Sequence, residues 1–312
     1  MRVDPHYGAR FRRAVLVPNA TDSAEHRLKL SDKARYLVWA ASRWPGADRS
    51  CPACRSRNTR LIKRKYGVTG LFECEHCHLF FRMPKGSLED DGQFYEEEYE
   101  QGSTTDLPND EQLRMLKASS FREIGKDYTP YIDVLRALGL NSGASIYDYG
   151  SSWGYGSWQF RKAGYRVYSY DVAKRRARFA QEKLGCTTVA GPTRVPEGVD
   201  CVFASHVIEH LADPNVMWTI AVQVLKPRGV LVLLTPNGEP RRGQLDARTY
   251  HQLWGRVHPL LLSVTPLTWM AEHHGFEGAG YSSPYELSRI AQWLSGRLDG
   301  DELLFVARRK RV

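Results

Sequence analysis

The sequence contains no apolar run long enough to cross a bilayer. Its opening, MRVDPHYGARFRRAVLVPNA, has basic residues but neither an apolar core segment nor a small-residue cleavage site. No export signal is read there, and a cytoplasmic location with no membrane partner is expected. The Gly-Lys-Ser/Thr ending of a nucleoside-triphosphate loop is missing. Internal repeats and low-complexity tracts are missing too. What remains is ordinary globular material: 312 residues, 42% hydrophobic and 25% charged. That length suits one large domain and a smaller one. A net charge of +9 permits polyanionic partners without requiring them.

Cysteine is scarce but patterned. Four of the six fall as Cys51-x-x-Cys54 and Cys74-x-x-Cys77, with nineteen residues between the pairs. Each pair on a short turn offers two thiolates to one ion, so the spacing reads as a structural Zn2+ site in a zinc ribbon. Disulfides are disfavoured without an export signal. His76 and His78 flank the second pair, but four cysteines already fill the shell. Cys186 and Cys201 fall in predicted strands and read as buried, inert thiols.

The charges are also patterned. Residues 55–65 hold Arg55, Arg57, Arg60, Lys63, Arg64 and Lys65 with no acid; residues 89–100 hold seven acids with no base. The basic run is either a nucleic-acid patch or a solvated face that complements the acidic one. The chain then divides into a helical lead-in (1–50), the ribbon (51–84), an acidic and helical connector (85–140) and a larger domain (141–312). The lead-in helix is expected to turn Ala34, Leu37, Val38 and Ala41 to one face. Residues 109–139 read as helical, with Pro130 in a first turn and Gly139 beyond the end. From 144 onward strands and helices alternate, which predicts a parallel sheet covered on both faces. The last helices are expected to start at Asp213-Pro214, ending near Gly229, and at Thr265-Pro266, ending at Gly275.

The first strand-to-helix turn of that sheet, IYDYGSSWGYGSW, is where such a fold binds ligands. Its glycines, Gly150, Gly154 and Gly156, do not have the G-x-G-x-x-G spacing of a dinucleotide site. An acid, Asp148, stands two residues before the first glycine. A second, Asp171, closes the next strand 21 residues after Gly150, where a carboxylate accepts both hydroxyls of a ribose.

The segments YDYGSSWGY, VYSYD, DCVFASHVIEHLADP, LKPRGVLVLLTPN and WMAEHHGFE, in this order, resemble class I S-adenosylmethionine-dependent methyltransferases. The resemblance covers about residues 141–312 and implies a Rossmann-like, doubly wound α/β sheet. It implies S-adenosylmethionine held by Asp148, Gly150, Ser151, Ser152, Gly154, Tyr155, Asp171, Val172, Ser205 and His206. Two departures stand out: Ser152 replaces the family's middle glycine, and AGPTRVPEG lacks an adenine-contacting acid. With the ribbon in front, the chain resembles the methyltransferases of bacterial sugar, polysaccharide and natural-product pathways. The expected acceptor is therefore a hydroxyl, or a carbon, of a small molecule or saccharide.

A sulfonium is already electrophilic, so transfer needs positioning and a general base worth about 10²–10⁴-fold. SHVIEHL offers His210 as base and Glu209 as its orienter; the bland alternative is that they cap a helix and pack the sheet edge. The 29-residue stretch 236–264 is long for a connection and reads as a substrate lid, with His258 as the alternative base. His273 and His274 read as surface residues. HVIEH also matches a metalloprotease pattern, which needs a helix that this strand end does not supply. Ubiquinone-biosynthesis O-methyltransferases have a similar, metal-binding segment with an acid where His206 stands here. Two rival readings are an RNA methyltransferase gripping phosphates through the ribbon, and a non-catalytic scaffold.

Overall fold

The protein is described by a computed structural model over residues 30–86, 106–122, 126–196, 198–245 and 247–310. The acidic run 89–100 and most of the lead-in lie outside the described residues. Within them, helix α1 (Leu30–Ser42) buries Tyr36 and Ala40, whereas Val38 is 69% exposed. The expected face is thus the wrong one. The Arg82 guanidinium sits 5.9 Å from the Tyr36 ring and 5.2 Å from Trp39, and these aromatics turn the helix inward.

Three short strands follow: β1 (Thr59–Lys65), β2 (Thr69–Cys74) and β3 (Phe80–Met83). They pair antiparallel in that order. The connector is not one helix. It gives α2 (Asp110–Ala118), with a capping box between Asn109 and Gln112, and α3 (Thr129–Ala137), with proline in its first turn.

The larger sheet is built from β4 (Ser145–Tyr149), β5 (Arg166–Tyr170), β6 (Thr187–Thr188), β7 (Val199–Ser205) and β8 (Leu225–Pro236). Between them run α4 (Tyr155–Lys162), α5 (Lys174–Leu184) and α6 (Asn215–Val224). Helix α6 stops well before Gly229, because the β8 extension already begins at Leu225. The segment after β8 holds α7 (Pro240–Leu245), α8 (Ala247–Gln252) and the two-residue β9 (Leu260–Leu261). The chain ends through α9 (Val264–His273), β10 (Phe276–Ser282), α10 (Leu287–Ala291) and β11 (Glu302–Arg309). Ser263, not Thr265, stands at the N-cap of α9.

The strand order is β10-β11-β8-β7-β4-β5-β6. Strands β5, β4, β7 and β8 are parallel, as alternation predicts. Strand β11 runs antiparallel between β8 and β10, so the sheet is mixed at that end. The order reverses beside β4, which opens a crevice at the carboxyl ends of β4 and β7.

The ribbon and this sheet share one core. Phe72, Leu79 and Phe81 of the ribbon pack in the same cluster as Trp218, Leu231 and Phe305. Each such fully buried side chain contributes about 1.5–3 kcal/mol. Strand β9 also joins the ribbon sheet, pairing Phe80 with Leu261 and Phe81 with Leu260.

Candidate active site and zinc ribbon

The four ribbon cysteines converge from two matched turns. Arg55 and His78 each follow the second cysteine of a pair, each with a left-handed φ, of 63° and 59°. Their N–H groups donate to the carbonyls of Cys51 and Cys74. The four sulfurs lie within 4.8 Å of one another, with Cys51 Sγ 3.5 Å from Cys77 Sγ and Cys54 Sγ 3.4 Å from Cys74 Sγ. Four thiols at this spacing fit a tetrahedral zinc with no open position. His76 and His78 turn elsewhere: His76 packs edge-on against Trp269, and His78 faces Glu73.

The loop after β4 shows why its glycines are needed. Gly150 and Gly154 have φ of 79° and 87°. A Cβ on Gly150 would sit 2.3 Å from Val207 Cγ2, and one on Gly154 would sit 2.7 Å from Ala180 Cβ. Gly150 and Ser151 donate their N–H groups to the Tyr170 carbonyl, tying the loop to the end of β5. Ser152 follows in the left-handed region at φ 51°, and its N–H donates to Asp171 Oδ2 at 2.8 Å. Asp171 Oδ1 accepts from the Ala173 N–H and from the Arg176 guanidinium at 3.1 Å. Val172 lies exposed just beyond. Asp148 is turned into the protein. Ser157 Oγ donates to it at 2.5 Å, and burial pushes its carboxyl up to about 7 against that bond, with the Asp171 charge adding to the rise.

Val207 brings the end of β7 directly against this loop. Ser205 and His206 close the strand, His206 with φ 54°. His206 Nδ1 is 3.2 Å from Glu209 Oε1, and its Nε2 is 2.9 Å from Glu302 Oε2. Burial alone would depress this imidazole, but the two carboxylates hold it up at about 10. Glu302 also accepts from the hydroxyls of Tyr131 and Tyr285. Burial opposes ionisation of Glu209, yet His206 and then the neighbouring His210 hold it down at about 2. His210 and His258 meet with ring centroids 4.6 Å apart. Burial lowers both, His258 to about 4, so both rings are neutral at pH 7.

A family model for a methyltransferase domain matches residues 121–279, just over half of the chain. The chain is a methyltransferase. A second family model, a transposase zinc-ribbon domain, matches residues 30–79 and agrees with the four-cysteine cluster. Among solved structures, the magnesium protoporphyrin IX methyltransferase of Synechocystis PCC 6803, with bound S-adenosylhomocysteine, is 16% identical; the match covers 65% of this chain and 89% of that one, with a TM-score of 0.44. A TehB-like S-adenosylmethionine-dependent methyltransferase of Corynebacterium glutamicum is 18% identical, covering 64% and 95%, with a TM-score of 0.44. No curated protein matches the sequence.

S-adenosylmethionine is the cofactor of the methyltransferase, and it supplies a sulfonium-bound, electrophilic methyl group. The chemistry of the loop suits it: Gly150 and Gly154 let the turn pack closely on Val207 and Ala180, and Asp171 offers a carboxylate of the kind that would accept ribose hydroxyls. Of the groups that fill that carboxylate, the buried Arg176 guanidinium is the one from a side chain. A bound ribose would share or replace it. The loop is joined to the end of β5 through the Tyr170 carbonyl and Asp171, and Val207, next to Ser205 and His206, packs against Gly150, while Asp148 faces inward to Ser157 and supports the loop.

Sequence reasoning missed Glu302, Tyr131, Tyr285 and Arg176. An acid opening the apolar run ELLFVARR was the one hint for Glu302. Glu209 bonds to His206, and His210 takes its orientation from the Val257 carbonyl at 2.8 Å. In the 236–264 segment, Trp254 is buried against Leu71 and Phe80 of the ribbon. His251 lends its backbone carbonyl to Lys65. His274 is half-buried rather than on the surface, stacked on Trp218 and bonded to Asn215. Among the described residues no helix is long and apolar enough to cross a membrane.

Proposed function

We propose that the enzyme methylates a hydroxyl of a small-molecule or saccharide acceptor, activated by Glu209, His210 and His258. One observation carries this reading. These three side chains converge at the carboxyl end of β7, and Val207 of the same segment packs against the cofactor loop at Gly150. A hydroxyl is a weak nucleophile and needs its proton removed. The 236–264 segment brings His258 over the site. The cofactor residues are proposed to be Gly150, Ser151, Ser152, Gly154, Tyr155, Asp171, Val172, Ser205 and His206, with Asp148 supporting the loop. The test is release of S-adenosylhomocysteine with hydroxylated small molecules and saccharides. His210→Ala should keep cofactor affinity and lose about 10²–10⁴-fold in turnover. Normal turnover in both His210→Ala and His258→Ala would remove the cluster from the reaction.

A second reading has one feature behind it. Strand β1 is an exposed edge bearing Arg60, Lys63 and Arg64 beside exposed Leu61, Ile62 and Tyr66. Such an edge suits an RNA phosphate backbone. RNA affinity falling steeply with salt, with methyl transfer to that RNA, would favour this reading over the first.

A further inference from the structure

The donor atoms of Glu209, His210 and His258 lie within 4.8 Å of one another and come from two separate segments. The first two belong to the turn directly after β7; the third belongs to the loop leading into β9. Both imidazoles are held in the same way. His210 Nδ1 lies 2.8 Å from the Val257 carbonyl, and His258 Nδ1 lies 3.1 Å from the Leu253 carbonyl. A carbonyl oxygen only accepts, so each Nδ1 carries the proton and each neutral ring has its lone pair on Nε2. Imidazoles that bind metals are fixed by this kind of bond from the second nitrogen.

The carboxylate adds two further observations. Glu209 Oε1 faces His206, but Oε2 is buried and has no hydrogen-bond partner. An unsatisfied buried group of this kind is destabilising, and a ligand would relieve it. Glu209 also shares the His206 ring with a second buried carboxylate, Glu302, whose Oε2 lies 2.9 Å from Nε2.

We infer that Glu209, His210 and His258 bind one divalent metal ion of the borderline kind, with Zn2+ the best match. Two imidazoles and a carboxylate are three protein ligands, which leaves a fourth position open for an oxygen. Bonds of about 2.0–2.2 Å would draw the donors to about 3.3 Å apart, carrying the His258 loop toward β7. Binding of the ion does not depend on which acceptor the enzyme uses. Only the occupant of the open position rests on the hydroxyl reading. A hydroxyl bound there is acidified; its O–H bond breaks, the proton passes to a water molecule, and the oxygen keeps the electron pair on the ion. The imidazoles then serve as ligands and accept no proton.

The experiment uses the full chain, equilibrated with Zn2+ and freed of loosely held ion by gel filtration. Metal analysis should give two zinc ions per chain in the wild type and one in His258→Gln and Glu209→Gln. Substitution with Co2+ separates the sites: the ribbon thiolates give intense sulfur-to-metal charge-transfer bands, and a nitrogen and oxygen site gives only weak visible bands. His258→Gln should lose the weak component alone, which also shows that its ribbon is folded. One zinc per wild-type chain, or two in His258→Gln, would overturn the inference. A one-zinc protein that still methylates hydroxyls sinks the ion and spares the acceptor reading. A two-zinc protein that methylates no hydroxyl does the reverse.

Discussion

Ser152 holds a left-handed φ of 51° where the sequence resemblance calls for glycine. A side chain in that region costs about 1–2 kcal/mol, whereas glycine loses about 0.5–1 kcal/mol more chain entropy on folding. The strain outweighs the entropy. Ser152→Gly should therefore raise the melting temperature slightly, and a clear fall in thermal unfolding would show that the hydroxyl contributes stability of its own. Asp148 makes a pH prediction. Its folded-state carboxyl is raised to about 7, above the usual 3.8. The folded state then binds the proton more tightly than the unfolded chain. This group's stabilisation is fully present below about 4 and is lost as pH rises to about 7. Asp148→Asn should flatten the pH dependence of denaturant unfolding over that window; an unchanged slope would mean that the carboxyl titrates normally. At Asp171, the Asn variant should weaken S-adenosylmethionine binding by about 1.5–3 kcal/mol in calorimetry, the worth of a charged hydrogen bond. Unchanged affinity would place the ribose elsewhere.

At the scale of elements, the pairing of β3 with β9 decides how the ribbon reaches the site. Four residues join them, and Lys65 adds hydrogen bonds to the carbonyls of His251 and Trp254 at 2.9 and 2.6 Å. The segment carrying His258 is thus tied to the ribbon. Removing zinc with a strong chelator should loosen both together. Hydrogen exchange should speed up in residues 59–83 and in 253–262, with β4 and β7 unchanged. Exchange confined to the ribbon would show that β9 holds without it. The sequence pointed to a long, functional connection here. It held no sign that two leucines inside it complete another sheet, because a two-residue strand has no periodicity to read.

Across the whole molecule, what was legible followed local chemistry. Cysteine spacing gave the ribbon, and alternation gave β4 through β8. Glycine and acid positions marked the turn after β4 that packs against β5 and Val207. What was hidden depended on distant partners. Glu302 lies 96 residues from His206, its partner at 2.9 Å. The antiparallel β11 follows from how the chain returns past β10, not from its own residues. The direction of α1 was hidden because the Arg82 that orients it belongs to another strand. The shared core has a consequence for truncation. A chain begun at residue 141 would uncover Trp254 and Leu261 and should precipitate or bind a hydrophobic dye, whereas the full chain should not. A soluble, dye-free fragment would show that the larger sheet stands alone.

That pairing also bears on descent. A module bolted on through a flexible tether drifts independently of its neighbour and is readily exchanged for another. Here Phe80 and Phe81 meet Leu261 and Leu260, and Asn215 grips the backbone of Pro52 and Ala53. Among relatives that keep both parts, these positions should change in concert. A lineage that discards the ribbon should also have rewritten or shortened the stretch between β8 and α9.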